Sequence, residues 1–142
     1  MALIYFDINH AIEVHDAIII QSGGLMGIAK QGQLDSVISF IQHDDYYPEF
    51  IDKVTCLFYG INTGHCFVDG NKRASIALTA YFLEINNLGF IVPKFIASME
   101  NIAVYVAANK IDRDLLYEIL ASIIYEEYYS EELKLKIFNA LS

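Results

Sequence analysis

Nine contiguous residues, His65-Cys66-Phe67-Val68-Asp69-Gly70-Asn71-Lys72-Arg73, gather an imidazole, a carboxylate, an amide and two adjacent cations. They run directly into an apolar stretch, residues 74–88, that reads as a buried helix. The first N–H groups of a helix have no internal partner, and the helix dipole adds positive potential there. A turn that delivers Gly70, Asn71, Lys72 and Arg73 to such a start is suited to an anion, and phosphate is the natural one. Gly70 permits close backbone approach, Asn71 offers an amide N–H, and Lys72 and Arg73 supply charge. Cations are electrostatically disfavoured at a helix N-terminus, so the pair calls for an anion. An imidazole placed upstream, at His65, can take a proton from an attacking hydroxyl. Each residue also has a plainer role: His65 as a hydrogen-bonded core histidine, Asp69 as a helix cap, Gly70-Asn71 as a simple turn. The concentration of all of them in one turn favours the chemical reading.

The elements that must hold this turn follow from apolar spacing. Asp7 can cap a first helix in which Ile8, Ala11, Ile12, His15, Ile18 and Ile19 recur at helical intervals, ending before Ser22-Gly23-Gly24. Four glycines between positions 23 and 32 read as a loop that bends closely around something, or more plainly as a connector, the reading favoured for isolated glycines. A second helix is predicted over residues 32–42, then a polar, aromatic break at His43, Asp44, Asp45, Tyr46, Tyr47 and Pro48. Pro48 suits the start of a third helix over 49–63, which Gly64 ends. The helix after the turn, 71–87, is apolar almost all round and belongs at the centre of a domain. Residues 90–93 read as a short extended crossing, followed by helices at 97–109, 112–128 and Glu131–Leu141, with Asp112 and Ser130 as caps. The expected architecture is an all-α bundle around one central buried helix. His10 and His15, five apart, do not share a helix face, so a two-histidine metal site is not expected. A capping or core hydrogen bond is the expected role of His15, and helix packing that of the tyrosines at 125, 128 and 129.

The 142 residues suit a single domain, 1–142, able to bury about 68% of its unfolded surface. With 55% hydrophobic residues, a large core or an oligomer face is expected. No uninterrupted apolar run has the ~18 residues of a membrane span, and the N-terminus lacks the features of a signal peptide. Two cysteines, Cys56 and Cys66, give no disulfide framework, so the expected location is cytoplasmic. A formal charge of −9 repels a phosphate backbone and argues against nucleic-acid binding, while leaving a basic protein segment as a plausible partner.

The turn HCFVDGNKR resembles the signature loop of the Fic/Doc family, His-x-Phe-x-Asp/Glu-Gly-Asn-Gly/Lys-Arg, and Lys72 is similar to the Doc (death-on-curing toxin) branch. His15-Asp16, Gly23-Gly24-Leu25, Gly27 and residues 32–36 resemble that branch's N-terminal region. The resemblance implies a Fic-like fold, with His65 as the base and Arg73 sharing the catalytic role. It also implies that Asp69 positions Mg²⁺ on the phosphates of ATP, which Gly70, Asn71, Lys72 and Arg73 bind. It places a flap that docks the target polypeptide in the 43–48 interval, over Asp44, Asp45, Tyr46 and Tyr47. The implied reaction is transfer of the γ-phosphoryl group to a protein hydroxyl, with elongation factor Tu as the target in that branch and a partner antitoxin as restraint. Protein adenylylation (AMPylation) is the alternative within the family, and a non-catalytic nucleotide-binding module the alternative outside it. Cys66 stands where the family often has Pro. Ile76 stands where the adenylylating branch has a second Arg. Some members restrain themselves with a helix carrying Ser/Thr-x-x-x-Glu-Gly/Asn. Here the only Glu followed by Gly or Asn is Glu100, with Ile96 four residues before it. Restraint in trans is therefore expected.

Overall fold

The computed structural model describes residues 2–142, and no strand forms among them. The α-helices are α1 (Ile8–Ser22), α2 (Gln31–Phe40), α3 (Phe50–Thr63), α4 (Asn71–Leu83), α5 (Val92–Ala107), α6 (Arg113–Tyr125) and α7 (Glu131–Leu141). Local chemistry sets their starts. Asp7, Asp112 and Ser130 each accept, through the side chain, an N–H of the following first turn. At α3 the Asp52 carboxylate accepts the Glu49 N–H at 3.0 Å.

The most extensive contact is between α3 and α4; α4 also packs on α5 and α1, and α3 on α6 and α2. The centre is thus a pair of helices rather than one. Along α3, Val54, Leu57, Phe58 and Ile61 are fully buried, as are Ala74, Leu78, Phe82 and Leu83 of α4. Burying a side chain of this size stabilises by about 1.5–3 kcal/mol, so this pair anchors whatever is attached to its ends.

Several boundaries differ from the sequence reading. The helix expected over 112–128 ends at Tyr125, and Tyr125 and Tyr128 are exposed instead of packed on the domain. The α4 helix stops at Leu83 and opens into a π turn at Glu84–Leu88, because Asn86 leaves helical geometry and Asn87 takes the left-handed conformation (φ 69°). The Asn86 amide is used elsewhere: it exchanges two hydrogen bonds of 2.9 Å with the backbone of Ile4 and so ties down the N-terminal segment. Residues 90–93 are not extended. They form a 3₁₀ turn, Gly89–Ile91, and the start of α5, where Pro93 occupies a first-turn position that needs no N–H donor. Within Asn71–Ala107 an 18-residue window reaches a mean hydropathy of 1.4, in the range of a membrane span. The break at residues 86–87 leaves helices of 13 and 16 residues there, short of the ~20 that cross a bilayer.

No flap hairpin forms at 43–48. That segment turns tightly, with the Tyr46 and Tyr47 N–H groups both donating to the His43 carbonyl. It is fastened by Lys53, a buried lysine whose Nζ donates to the Ile41 carbonyl at 2.6 Å and to Asp44 Oδ1 at 2.8 Å. Among the described residues the one β-type pairing lies elsewhere, an antiparallel bridge between Ile28 and Phe67.

Candidate active site

The turn of residues 65–73 connects the two central helices. Gly64 closes α3, and His65 then takes a left-handed conformation (φ 52°), unusual for a residue with a Cβ. This swings the imidazole to an exposed position and sends the next two side chains inward. Cys66 and Phe67 are buried, at 0% and 1% exposure, and burial pushes the Cys66 thiol up to about 11. Cys66 is therefore a small packed group, and Phe67 is the plug that seats the loop.

Asn71 closes the loop on itself. Its Oδ1 accepts the Phe67 N–H and its Nδ2 donates to the Phe67 carbonyl, both at 3.0 Å. The side-chain amide expected to face an anion is thus spent on the loop, and Asn71 contributes its backbone N–H instead. Gly70 precedes α4 in the left-handed conformation (φ 76°), and its N–H donates to Asp69 Oδ1 at 2.8 Å. The first intrahelical bond is Ala74 N–H to the Gly70 carbonyl. The N–H groups of Asn71, Lys72 and Arg73 therefore have no i−4 partner within α4.

The loop leans on α1 and on the glycine-rich segment after it. Val68 N–H donates to Gly27 O at 3.0 Å, and the Ala29 and Lys30 N–H groups donate to Cys66 O at 2.9 and 3.0 Å. Leu25 N–H reaches Asp69 Oδ2 at 3.1 Å. The Asp69 carboxylate lies below the usual carboxylate range, chiefly because of the Leu25 N–H, then the Gly70 N–H, with Arg73 and His15 adding. Arg73 donates to the Ser22 hydroxyl and, at 2.9 Å, to the Gly23 carbonyl. The guanidinium thus sits at the C-terminal, negative end of α1. That placement explains one of the two cations without an anion. Lys72 remains exposed and enters no ion pair among the described residues.

His65, Asp69, Gly70, Asn71, Lys72 and Arg73 are thus brought together at the start of α4. Asp44, Asp45, Tyr46 and Tyr47 are not. They lie before the other end of α3, a helix of 14 residues and about 20 Å. There Tyr46 and Tyr47 line a cleft of about 450 Å³ with Arg113, Asp114, Tyr117 and Glu118. The segment beside the signature loop is instead residues 24–30, which the sequence reading took for a connector. Its legible signal was glycine: Gly23, Gly24 and Gly27 all have positive φ. At Gly24 a Cβ would lie 2.7 Å from Asp69 Oδ2 and 3.1 Å from an Arg73 nitrogen, so the loop passes the site too closely for any side chain.

One turn thus joins a helix N-terminus whose first three amides have no i−4 partner, a carboxylate held below the usual range and an exposed imidazole. The chain belongs to the Fic/DOC family, whose model matches residues 5–83, from the N-terminal segment to the end of α4. It is 32% identical over 80 residues to the protein kinase doc of Escherichia phage P1. That alignment spans 54% of this chain and 64% of the relative, a little under two thirds of its length.

Proposed function

We propose that this chain is a Doc-type toxin that transfers the γ-phosphoryl group of ATP to a hydroxyl of a protein target. The observation that carries the reading is Lys72, an exposed cation at the second position of α4, where the adenylylating branch has a bare glycine. The amides of Asn71, Lys72 and Arg73 face the phosphates, and the Lys72 ammonium occupies space that α- and β-phosphates would otherwise take. Ile76, in place of a second Arg, removes a contact that adenylylation uses. His65 takes the proton of the attacking hydroxyl. The hydroxyl oxygen bonds to the γ-phosphorus, the bond from that phosphorus to the β–γ bridging oxygen breaks, and ADP leaves.

The donor set fits Mg²⁺. Each Asp69 oxygen accepts one N–H and keeps lone-pair capacity, and the carboxylate lies at the mouth of an anion site, where a cation must stand between like charges. One carboxylate together with substrate phosphates is how Mg²⁺ is usually held, and Asp69 would be that carboxylate. Bound there, Mg²⁺ supplies neutralisation of phosphate charge.

For the target, the outer edge of residues 24–30 replaces the 43–48 flap. Gly27 O and Ala29 N–H face the signature loop, so the groups of Met26 and Ile28 alternate to the other side, where an added strand can pair. An antitoxin that folds on binding supplies the restraint. The test is ATP labelled at the α or the γ position, incubated with the chain, Mg²⁺ and elongation factor Tu. Label from the γ position on the target, lost in Lys72→Gly, is the expected result. Label from the α position would establish adenylylation and leave the site assignment standing.

A further inference from the structure

The helix α1 contributes a residue to this site that the loop motif does not contain. The His15 ring is 1% exposed and stacks on Phe67, with centroids 3.9 Å apart and planes within 3°. Its Nε2 lies 2.6 Å from the Asp69 carbonyl oxygen. A carbonyl has no hydrogen to give, so Nε2 carries the proton and donates. The other ring nitrogen, Nδ1, is 3.7 Å from Asp16 Oδ1.

The bonded carbonyl belongs to the Asp69–Gly70 peptide, and its position gives the bond a purpose. Gly70 is free on both sides of φ, so this peptide can rotate end for end with little change in the path of the chain. In the observed orientation its N–H points at the Asp69 carboxylate and its carbonyl at His15. In the rotated one, a carbonyl oxygen would confront that carboxylate and the start of α4, placing negative potential at the site intended for an anion. The glycine cannot choose between these states, since it has no side chain. The donor that chooses stands on α1, 54 residues away, and is held by its stack on the plug of the loop.

We propose that His15 is a positioning residue for the anion site: its Nε2–H fixes the Asp69–Gly70 peptide in the orientation that keeps its N–H on the Asp69 carboxylate and its carbonyl turned away from the start of α4, where phosphate would bind. This rests on the reading of the α4 N-terminus as a nucleotide site. A purely space-filling His15 would be replaced without loss by Phe, which keeps the ring and its stack. A donor would be replaced by Gln, whose amide N–H can reach the same carbonyl.

The experiment compares wild type, His15→Phe and His15→Gln as full chains. Affinity for ATP with Mg²⁺ is measured by calorimetry, and hydrogen exchange is followed at the Gly70 amide. His15→Phe should bind ATP about tenfold more weakly, equivalent to about 1.4 kcal/mol. Its Gly70 amide should exchange at least tenfold faster. In His15→Gln both quantities should return to within about threefold of wild type. Wild-type affinity and protection in His15→Phe would overturn the proposal, as would a His15→Gln no better than His15→Phe. Should wild type bind no nucleotide, the nucleotide reading falls, and the Gly70 exchange still decides whether His15 sets the peptide. Should the variants not fold, nitrogen NMR of wild-type His15 decides: the Nε2–H tautomer is required, and the Nδ1–H tautomer overturns it.

Discussion

Three glycine-to-alanine substitutions separate backbone strain from crowding at the site. Gly23 (φ 87°) and Gly24 (φ 124°) both lie where a side chain is strained, but a Cβ on Gly23 meets nothing within 4 Å. A Cβ on Gly24 would meet Asp69 Oδ2 at 2.7 Å and Ile19 Cδ1 at 3.0 Å. Gly23→Ala should therefore cost strain alone, about 1–3 kcal/mol. Gly24→Ala should cost that plus about 1–3 kcal/mol for the overlap. The difference, about 2 kcal/mol, corresponds to roughly 4–8 °C in Tm for a domain of this size. Gly32, in the first turn of α2 with open space around it, is the internal control. Gly32→Ala should stabilise by about 0.4–1 kcal/mol. Urea titrations with a common m-value give all three numbers. Nucleotide affinity gives a fourth, since only Gly24→Ala displaces Asp69 and Arg73. Equal midpoints for Gly23→Ala and Gly24→Ala would refute the close packing of residues 24–30 on the signature loop.

Three further outcomes are expected. Asn71→Ala removes both bonds to the Phe67 backbone and should destabilise by about 2–4 kcal/mol, with Asn71→Asp, which keeps only the acceptor, losing roughly half as much in the same titration. Asp69 has a lowered folded pKa, so its contribution is present above the ordinary carboxylate range and is lost as pH falls through the folded value. Acid titration of stability should accordingly be steeper below about pH 4 in wild type than in Asp69→Asn. Both cysteines are buried, and Cys66 is held protonated by its high pKa, so a disulfide-exchange reagent at pH 8 should label neither until denaturant is added.

The signature loop was legible because its residues are contiguous, and a short pattern carries its own chemistry. The helices were legible from apolar spacing and from caps such as Asp7, Asp112 and Ser130. What escaped was everything set by distance in space. Ser22 and Gly23 satisfy Arg73 from about fifty residues away, so the paired cations read as wanting one common anion when Arg73 already has partners on α1 and only Lys72 is left exposed. Asn71 has the right type for an anion contact, yet its amide fits the Phe67 backbone better. The family resemblance put a flap at the polar, aromatic segment 43–48, but α3 carries that segment to the far end of the domain. The glycine-rich segment read as a connector because the residues it must pass, Asp69 and Arg73, cannot be seen from its own composition. Residues 90–93 were misread as extended because Phe, Ile and Val suit strands, while Pro93 suits equally the first turn of a helix.

Paired measurements on His65→Ala bear on the whole reading at once. His65 is exposed and donates no bond that holds the loop, whereas phosphate would meet the α4 amides and Lys72. Calorimetry should find ATP affinity within about threefold of wild type. Transfer of label from ATP to the protein target should fall by about 10²–10⁴-fold, the contribution of a positioned base. Transfer that survives the substitution, or ATP affinity that collapses with it, would contradict the assignment of His65 as the base at a phosphate site.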